Sequence, residues 1–367
     1  MKWLLLFVPF TVLIHLSNAD PSLVFGTALV AILPLVEIMG DATERLAGRL
    51  GTRIGGLLNA TLANAPELII GLTGLTNGLG SVVKASLTGS ILVNLLVGLG
   101  CALVIGGLKF GSQRFERQQL RTASSMLLLC SFCFIVPAVF RAGVPAASRE
   151  LSTEIAVVLL LVYGFNLVAT VFNRRPDASG PLEMPGDPVV EPALVPEFFR
   201  LGLAAAALAL VSDILTESLQ PMAQALGFSD VFSGVVLLGG VGGCGEVLTA
   251  IRFARSGRQE LVLAVTVGST IQMVLLVAPL LVLLGPMVGE PIDLAFSTIE
   301  VVAIVIAVAA TRGLITDGRV TWMEGVLLLA TYAIFAFAFF HVPDGGDDAP
   351  ISVSVPPAAA GGPSAGE

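Results

Sequence analysis

Apolar residues fill most of this chain in blocks of about twenty, with short polar stretches between them. As helices, blocks of that length cross roughly 30 Å of hydrocarbon. The pattern predicts eleven spans, at approximately 3–17, 22–42, 54–77, 82–108, 121–141, 152–172, 199–220, 230–254, 260–285, 292–312 and 320–341. The expected fold is an all-α polytopic membrane protein. The first block, "MKWLLLFVPFTVLIHLSNAD", has the basic start, apolar centre and small-residue end of a signal peptide. The next block follows after a very short turn, which favours a retained transmembrane helix over residues 1–20.

Composition points the same way. Hydrophobic residues are 55% of the chain, charged residues 13%, and mean hydropathy is +0.92; a soluble domain of this size needs more charge to cover its surface. Forty glycines suit close helix approach in lipid. Under the eleven-span alternation, 16 of the 19 Lys and Arg residues lie on one side, and only Lys84, Arg141 and Arg149 on the other. The positive-inside rule then puts the N-terminus in the cytoplasm and the C-terminus outside, as expected for a cell (inner) membrane protein. Residues 174–198, "RRPDASGPLEMPGDPVVEPALVPEF", are expected to form an acidic, proline-rich cytoplasmic linker. It separates a first half, 21–173, from a second, 199–341; residues 342–367 are expected to be a disordered tail.

Two literal motifs carry no chemistry. Cys130 and Cys133 form a C-x-x-C inside an apolar helix without a redox context, which reads as packing. "GVGGCG" at 240–245 has no strand before it, so it is no dinucleotide fingerprint.

Polar residues within the blocks change the picture. Glu67 sits in "NATLANAPELIIGLTGLTNG", with Asn59, Asn64 and Pro66 close by, all poor choices for a membrane helix interior. Sliding the chain by 179 residues places Gly55 on Gly234, Glu67 on Glu246, Gly78 on Gly257, Ala85 on Ala264 and Gly89-Ser90 on Gly268-Ser269. Five spans per half is an odd number, so the second half enters the membrane from the opposite side, the inverted repeat of secondary transporters. A carboxylate at mid-bilayer costs about 2.5–3.5 kcal/mol on insertion scales. Two of them, related by a repeat and each beside helix breakers, point to a hard-oxygen cation site supplemented by freed carbonyls, to which calcium is well matched.

These segments resemble a known family. "GGLLNATLANAPELI" at 55–69, followed by Gly89-Ser90, resembles the first signature of the calcium/cation antiporter superfamily, in its calcium/proton exchanger branch. "GGVGGCGEVLTAIRFARSGRQELVLAVTVGSTIQ" resembles the second, and "ATERLAGRLG" and "WMEG" also fit, so the likeness spans about residues 1–341. The resemblance implies cation and proton binding at Glu67 and Glu246, with Asn64, Ser90, Ser269, Gln272 and, less directly, Asn94 contributing polar groups. It implies proton access or gating at Glu44, and Asp213 and Glu217 lie near the matching acidic position of the seventh span, occupied here by Gln220. Glu300 and Glu324 match acids of the family or serve helix-end packing, and Glu37 reads as a surface acid. The second signature departs from the usual Gly-Asn-Ala-Ala-Glu-His, with Gly243 in place of asparagine and Val247 in place of histidine. Gly243 is expected to leave volume that a water fills.

The expected function is proton-driven antiport exporting calcium or a related cation, the two carboxylates holding either the ion or protons. A monovalent cation/proton antiporter, a degenerate exchanger and a cation channel are the alternatives. An intramembrane metal hydrolase lacks its ligands, since the only histidines are His15 and His341 and no H-E-x-x-H occurs. No resident cofactor and no nucleic-acid partner are expected; the partners are an inorganic cation, protons and the lipid bilayer.

Overall fold

The computed structural model describes residues 2–50, 55, 57–58, 61–115, 117–144, 148–173, 194–316 and 318–343. Among these it is almost wholly helical. After a 3₁₀ turn come α1 (Phe7–Leu16), α2 (Pro21–Arg49), α3 (Ala65–Thr76), α4 (Gly80–Phe110), α5 (Arg117–Gly143) and α6 (Ser148–Asn173). The second half has α7 (Leu194–Leu226), α8 (Asp230–Gly242), α9 (Cys244–Arg255), α10 (Gln259–Val288), α11 (Thr298–Thr316) and α12 (Trp322–Phe340). Two-residue strands β1 (Gln113–Arg114) and β2 (Arg319–Val320) pair antiparallel, a feature too short for any periodicity to announce.

Every expected span contains helix. Among the described residues, seven helices are by length and composition able to cross a membrane alone: α2, α4, α5, α6, α7, α10 and α12. The bent pair α8–α9 makes an eighth. In α4 and α10 the most apolar windows are 72% and 61% buried, against 17–44% for the other single helices. These two are the centre of the bundle, with leucines such as Leu92, Leu95 and Leu96 of α4 and Leu275 and Leu281 of α10 fully shielded.

Elements recur at the 179-residue spacing. Ala65–Thr76 falls on Cys244–Arg255, both helices end at glycines with φ +72° (Gly78 and Gly257), and α4 and α10 each carry a π segment, Val93–Gly98 and Met273–Val277. Packing is reciprocal as well. The second part of α4 packs on α12 and α9, and the second part of α10 packs on α6 and α3; α2 packs on α7, and α5 on α11.

Two expected boundaries are corrected. The tenth span does not begin at 292: residues 290–297 lie outside any helix, and α11 starts at Thr298. Gly289 ends α10 at φ +93°, and side chains of other helices then hold the segment that follows. Lys84 Nζ donates to Asp293 and to the Ala295 carbonyl, both at 2.6 Å, while Ser152 Oγ accepts from the Leu294 N–H at 3.0 Å. The linker ends early too, because α7 begins at Leu194. Glu197 is buried there between Arg45 and Arg200, at 3.6 and 3.8 Å. The rest of the linker (174–193) and the tail from 344 lie outside the described residues.

Candidate cation site

Two breaks in helical backbone frame the candidate site. Before α3 the chain turns at 63–64, because Pro66 lacks an N–H and its ring opposes helix continuing from the preceding turn. Before α9 the break falls at Gly243, where the axes of α8 and α9 differ by 48°, and Gly242, Gly243 and Gly245 remove the side chains that favour an unbroken helix. Each break puts a glutamate in the first turn of the helix that follows, Glu67 in α3 and Glu246 in α9. Free N–H groups at a helix start favour negative charge.

The two carboxyls lie close to each other where α3 and α9 begin. A cavity with room for about one water adjoins Glu67 and is lined by Ser86, Ser90, Gly242 and Met273 among others. Ser90 Oγ also donates to the Gly239 carbonyl at 3.4 Å. Asn64, at the first break, donates from Nδ2 to Gln272 Oε1 at 2.8 Å. Among the described residues, Glu67 Oε2, Glu246 Oε2, Asn64 Oδ1 and both amide atoms of Asn94 are buried without a hydrogen-bond partner. Orphaned oxygens concentrated at two helix breaks are what a hard, oxygen-loving cation requires. Two bare carboxylates in contact would be costly buried charges, and a proton or a cation between them removes that cost.

The structure thus brings together Glu67, Glu246, Asn64, Gln272 and Ser90, with Asn94 beside Gly243. Ser269 is the positional equivalent of Ser90 on α10, half-buried, and does not line the cavity. The acids expected to admit or gate protons lie elsewhere. Glu44 is exposed on α2, near Asp41 and Arg252. Asp213 is exposed and accepts from Asn77 Nδ2 at 2.9 Å; Glu217, 64% exposed, lies 3.6 Å from His15. Glu37 is ion-paired to Arg252 at 2.8 Å. Glu300 is buried, accepting from Thr88 Oγ1 and the Ser297 N–H, and Glu324 forms a capping box with Thr321. Cys130 and Cys133 are free and buried in the core.

One expectation fails outright. Gly243 leaves no space for a water, because a Cβ there would lie 2.7 Å from Val93 Cγ1. Val93 itself was invisible as a site residue; its only signal is that the 179-residue shift puts it on Gln272. Ser86 and Gly242 were also missed, although Ser86 is one helical turn before Ser90 and Gly242 adjoins the second break.

The sodium/calcium exchanger protein family matches residues 21–172 and 197–341. A Ca²⁺/H⁺ antiporter of Aphanothece halophytica is 38% identical, over 93% of this chain and 96% of that protein. One of Synechocystis is 37% identical over the same shares, and ChaA of Bacillus subtilis is 36% identical over 91% and 96%. Among solved structures, that of native YfkE superposes with a TM-score of 0.79 at 33% identity, covering 91% of this chain and 97% of the other. The H⁺/Ca²⁺ exchanger CAX shares the fold, with a TM-score of 0.67 at 15% identity, covering 92% and 90%. This chain is an integral membrane protein of the sodium/calcium exchanger family.

Proposed function

We propose that the chain is a proton-driven antiporter that exports calcium, or a related cation, from the cytoplasm. The observation that carries this reading is the meeting of Glu67 and Glu246 at two helix breaks, with unpartnered oxygens around them. One site cannot hold a divalent ion and its full load of protons together, so the two compete, and that competition couples their fluxes. Relatives at 36–38% identity bear the name Ca²⁺/H⁺ antiporter, which supports calcium as the ion.

The chain crosses the membrane eleven times, one N-terminal helix followed by two inverted five-helix repeats, with the N-terminus in the cytoplasm and the C-terminus outside the inner membrane. Reciprocal packing and the 179-residue recurrence of broken helices support the repeat. Rocking of the halves about the shared site gives alternating access. Asn64, Ser90, Ser269, Gln272 and Asn94 supply polar groups around the ion. Glu44 on one side, and Asp213 and Glu217 on the other, serve proton access or gating from the rims rather than from the site.

The test is cation-dependent dissipation of an imposed pH gradient in everted vesicles, with calcium, sodium, manganese and potassium. Calcium should collapse the gradient, and Glu67→Gln or Glu246→Gln should each abolish the response without loss of folded protein. Wild-type rates in either variant would overturn the paired-carboxylate site. Flux indifferent to the pH gradient would mean a channel, and a response to sodium but not calcium would mean a monovalent antiporter.

A further inference from the structure

The two flanks of the site are equivalent in position but not in chemistry. Asn64 precedes α3, and its counterpart 179 residues on is Gly243, before α9. Asn64 donates to Gln272 of α10 at 2.8 Å, and the residue of α4 equivalent to Gln272 is Val93. An amide pair on one flank is thus matched by glycine against valine on the other. Sterically the two residues belong together. A Cβ at position 243 would stand 2.7 Å from Val93 Cγ1 and 3.2 Å from Val93 Cβ, inside ordinary carbon contact. A larger residue at 243 therefore needs a smaller one at 93. One position along α4, Asn94 is fully buried, neither of its amide atoms has a partner among the described residues, and its Oδ1 lies 3.2 Å from the place of that Cβ.

We propose that Val93, acting through its contact with Gly243, determines how many side-chain oxygens this flank offers the transported cation. With valine in place, Asn94 is the one side-chain amide on the flank among the described residues, and the cation is held off-centre, toward Asn64 and Gln272. Calcium takes six to eight oxygen ligands, so a flank short of side-chain oxygens and closed by Val93 leaves its shell less complete on that side. The consequence is weaker calcium binding and poorer discrimination against other divalent ions than a two-flanked site would give. Val93 is accordingly a positioning residue that sets specificity without touching the ion. The proposal rests on the reading of Glu67 and Glu246 as the cation-binding pair.

The experiment uses the purified full-length protein in detergent. Proton release is titrated with calcium, and in parallel with manganese and strontium, for wild type, Gly243→Asn, Val93→Ala and the double variant. Gly243→Asn alone, driven into Val93, should raise the half-saturating calcium concentration about tenfold or more. Adding Val93→Ala should reverse this, bring half-saturation about tenfold below wild type and sharpen the preference for calcium. Melting temperatures measured without cation report packing separately, since a purely steric role would restore stability in the double variant without shifting ion preference. A double variant that binds calcium no better than Val93→Ala alone overturns the proposal, as does a Gly243→Asn variant that binds as tightly as the double. If Gly243→Asn does not fold, the comparison of Val93→Ala with the double variant still decides. Glu67→Gln is the control: proton release persisting in it would overturn the carboxylate pair itself, whereas its loss with no coupling between 93 and 243 would overturn only the role of Val93.

Discussion

Gly89→Ala should disable the protein, while the same change at its repeat equivalent, Gly268→Ala, should be tolerated. Gly89 lies where α4 crosses α8. A Cβ on it would stand 2.0 Å from the Val235 carbonyl oxygen and 2.7 Å from its carbonyl carbon. These are backbone atoms of a helix, unable to swing aside as a side-chain end does. Restoring a contact of about 3.4 Å requires the helices to part by roughly 1.4 Å. Separation of that size breaks the Ser90 Oγ contact to the Gly239 carbonyl and displaces Ser90 and Gly242 relative to Glu67. Overpacking of this kind costs about 1–3 kcal/mol, and misplacing a functional group by 1 Å slows a process on the order of a hundredfold. At Gly268, by contrast, nothing among the described residues lies within 4 Å of where a Cβ would be. Both variants should be compared by thermal stability in detergent and by calcium-driven proton flux in vesicles. Gly89→Ala is expected to melt several degrees lower and to lose most of its flux, with Gly268→Ala close to wild type in both. Equal damage at the two positions, or none at Gly89, would refute the reasoning from helix contact.

Lys84→Met should lower stability by about 1.5–3 kcal/mol, because it removes the 2.6 Å charged donor shared by Asp293 and the Ala295 carbonyl, whose contact to Arg141 is longer, at 3.3 Å; denaturation of the detergent-solubilised protein measures it, and an unchanged midpoint would mean the pair is idle. Ser179→Cys in the linker should react only with reagents on the cytoplasmic side and Ser352→Cys in the tail only from outside; labelling of both from one face would refute the odd number of spans.

The hydrophobic pattern alone located the helices, because any chain that must satisfy its backbone in lipid does so with long apolar helices, and their blocks are visible without partners. Glu67, Glu246 and the 179-residue recurrence were legible for the same reason, since an acid in such a block is conspicuous. Short-range exceptions were not. The segment at 290–297 is apolar enough to pass for helix and departs from it where Gly289 ends α10 and remote residues, Lys84 and Ser152, take up Asp293, the Ala295 carbonyl and the Leu294 N–H. Glu197 likewise orders the start of α7 through Arg45 of α2, a partner remote in sequence. The site divides along the same line. One chain position identifies a glutamate as costly in a membrane, but whether two carboxyls meet depends on how α3 and α9 cross. The sequence shows an asparagine missing at 243; only packing shows that Val93 already occupies the room, because valine in a membrane helix is unremarkable until its Cγ1 is found where another side chain would have to go.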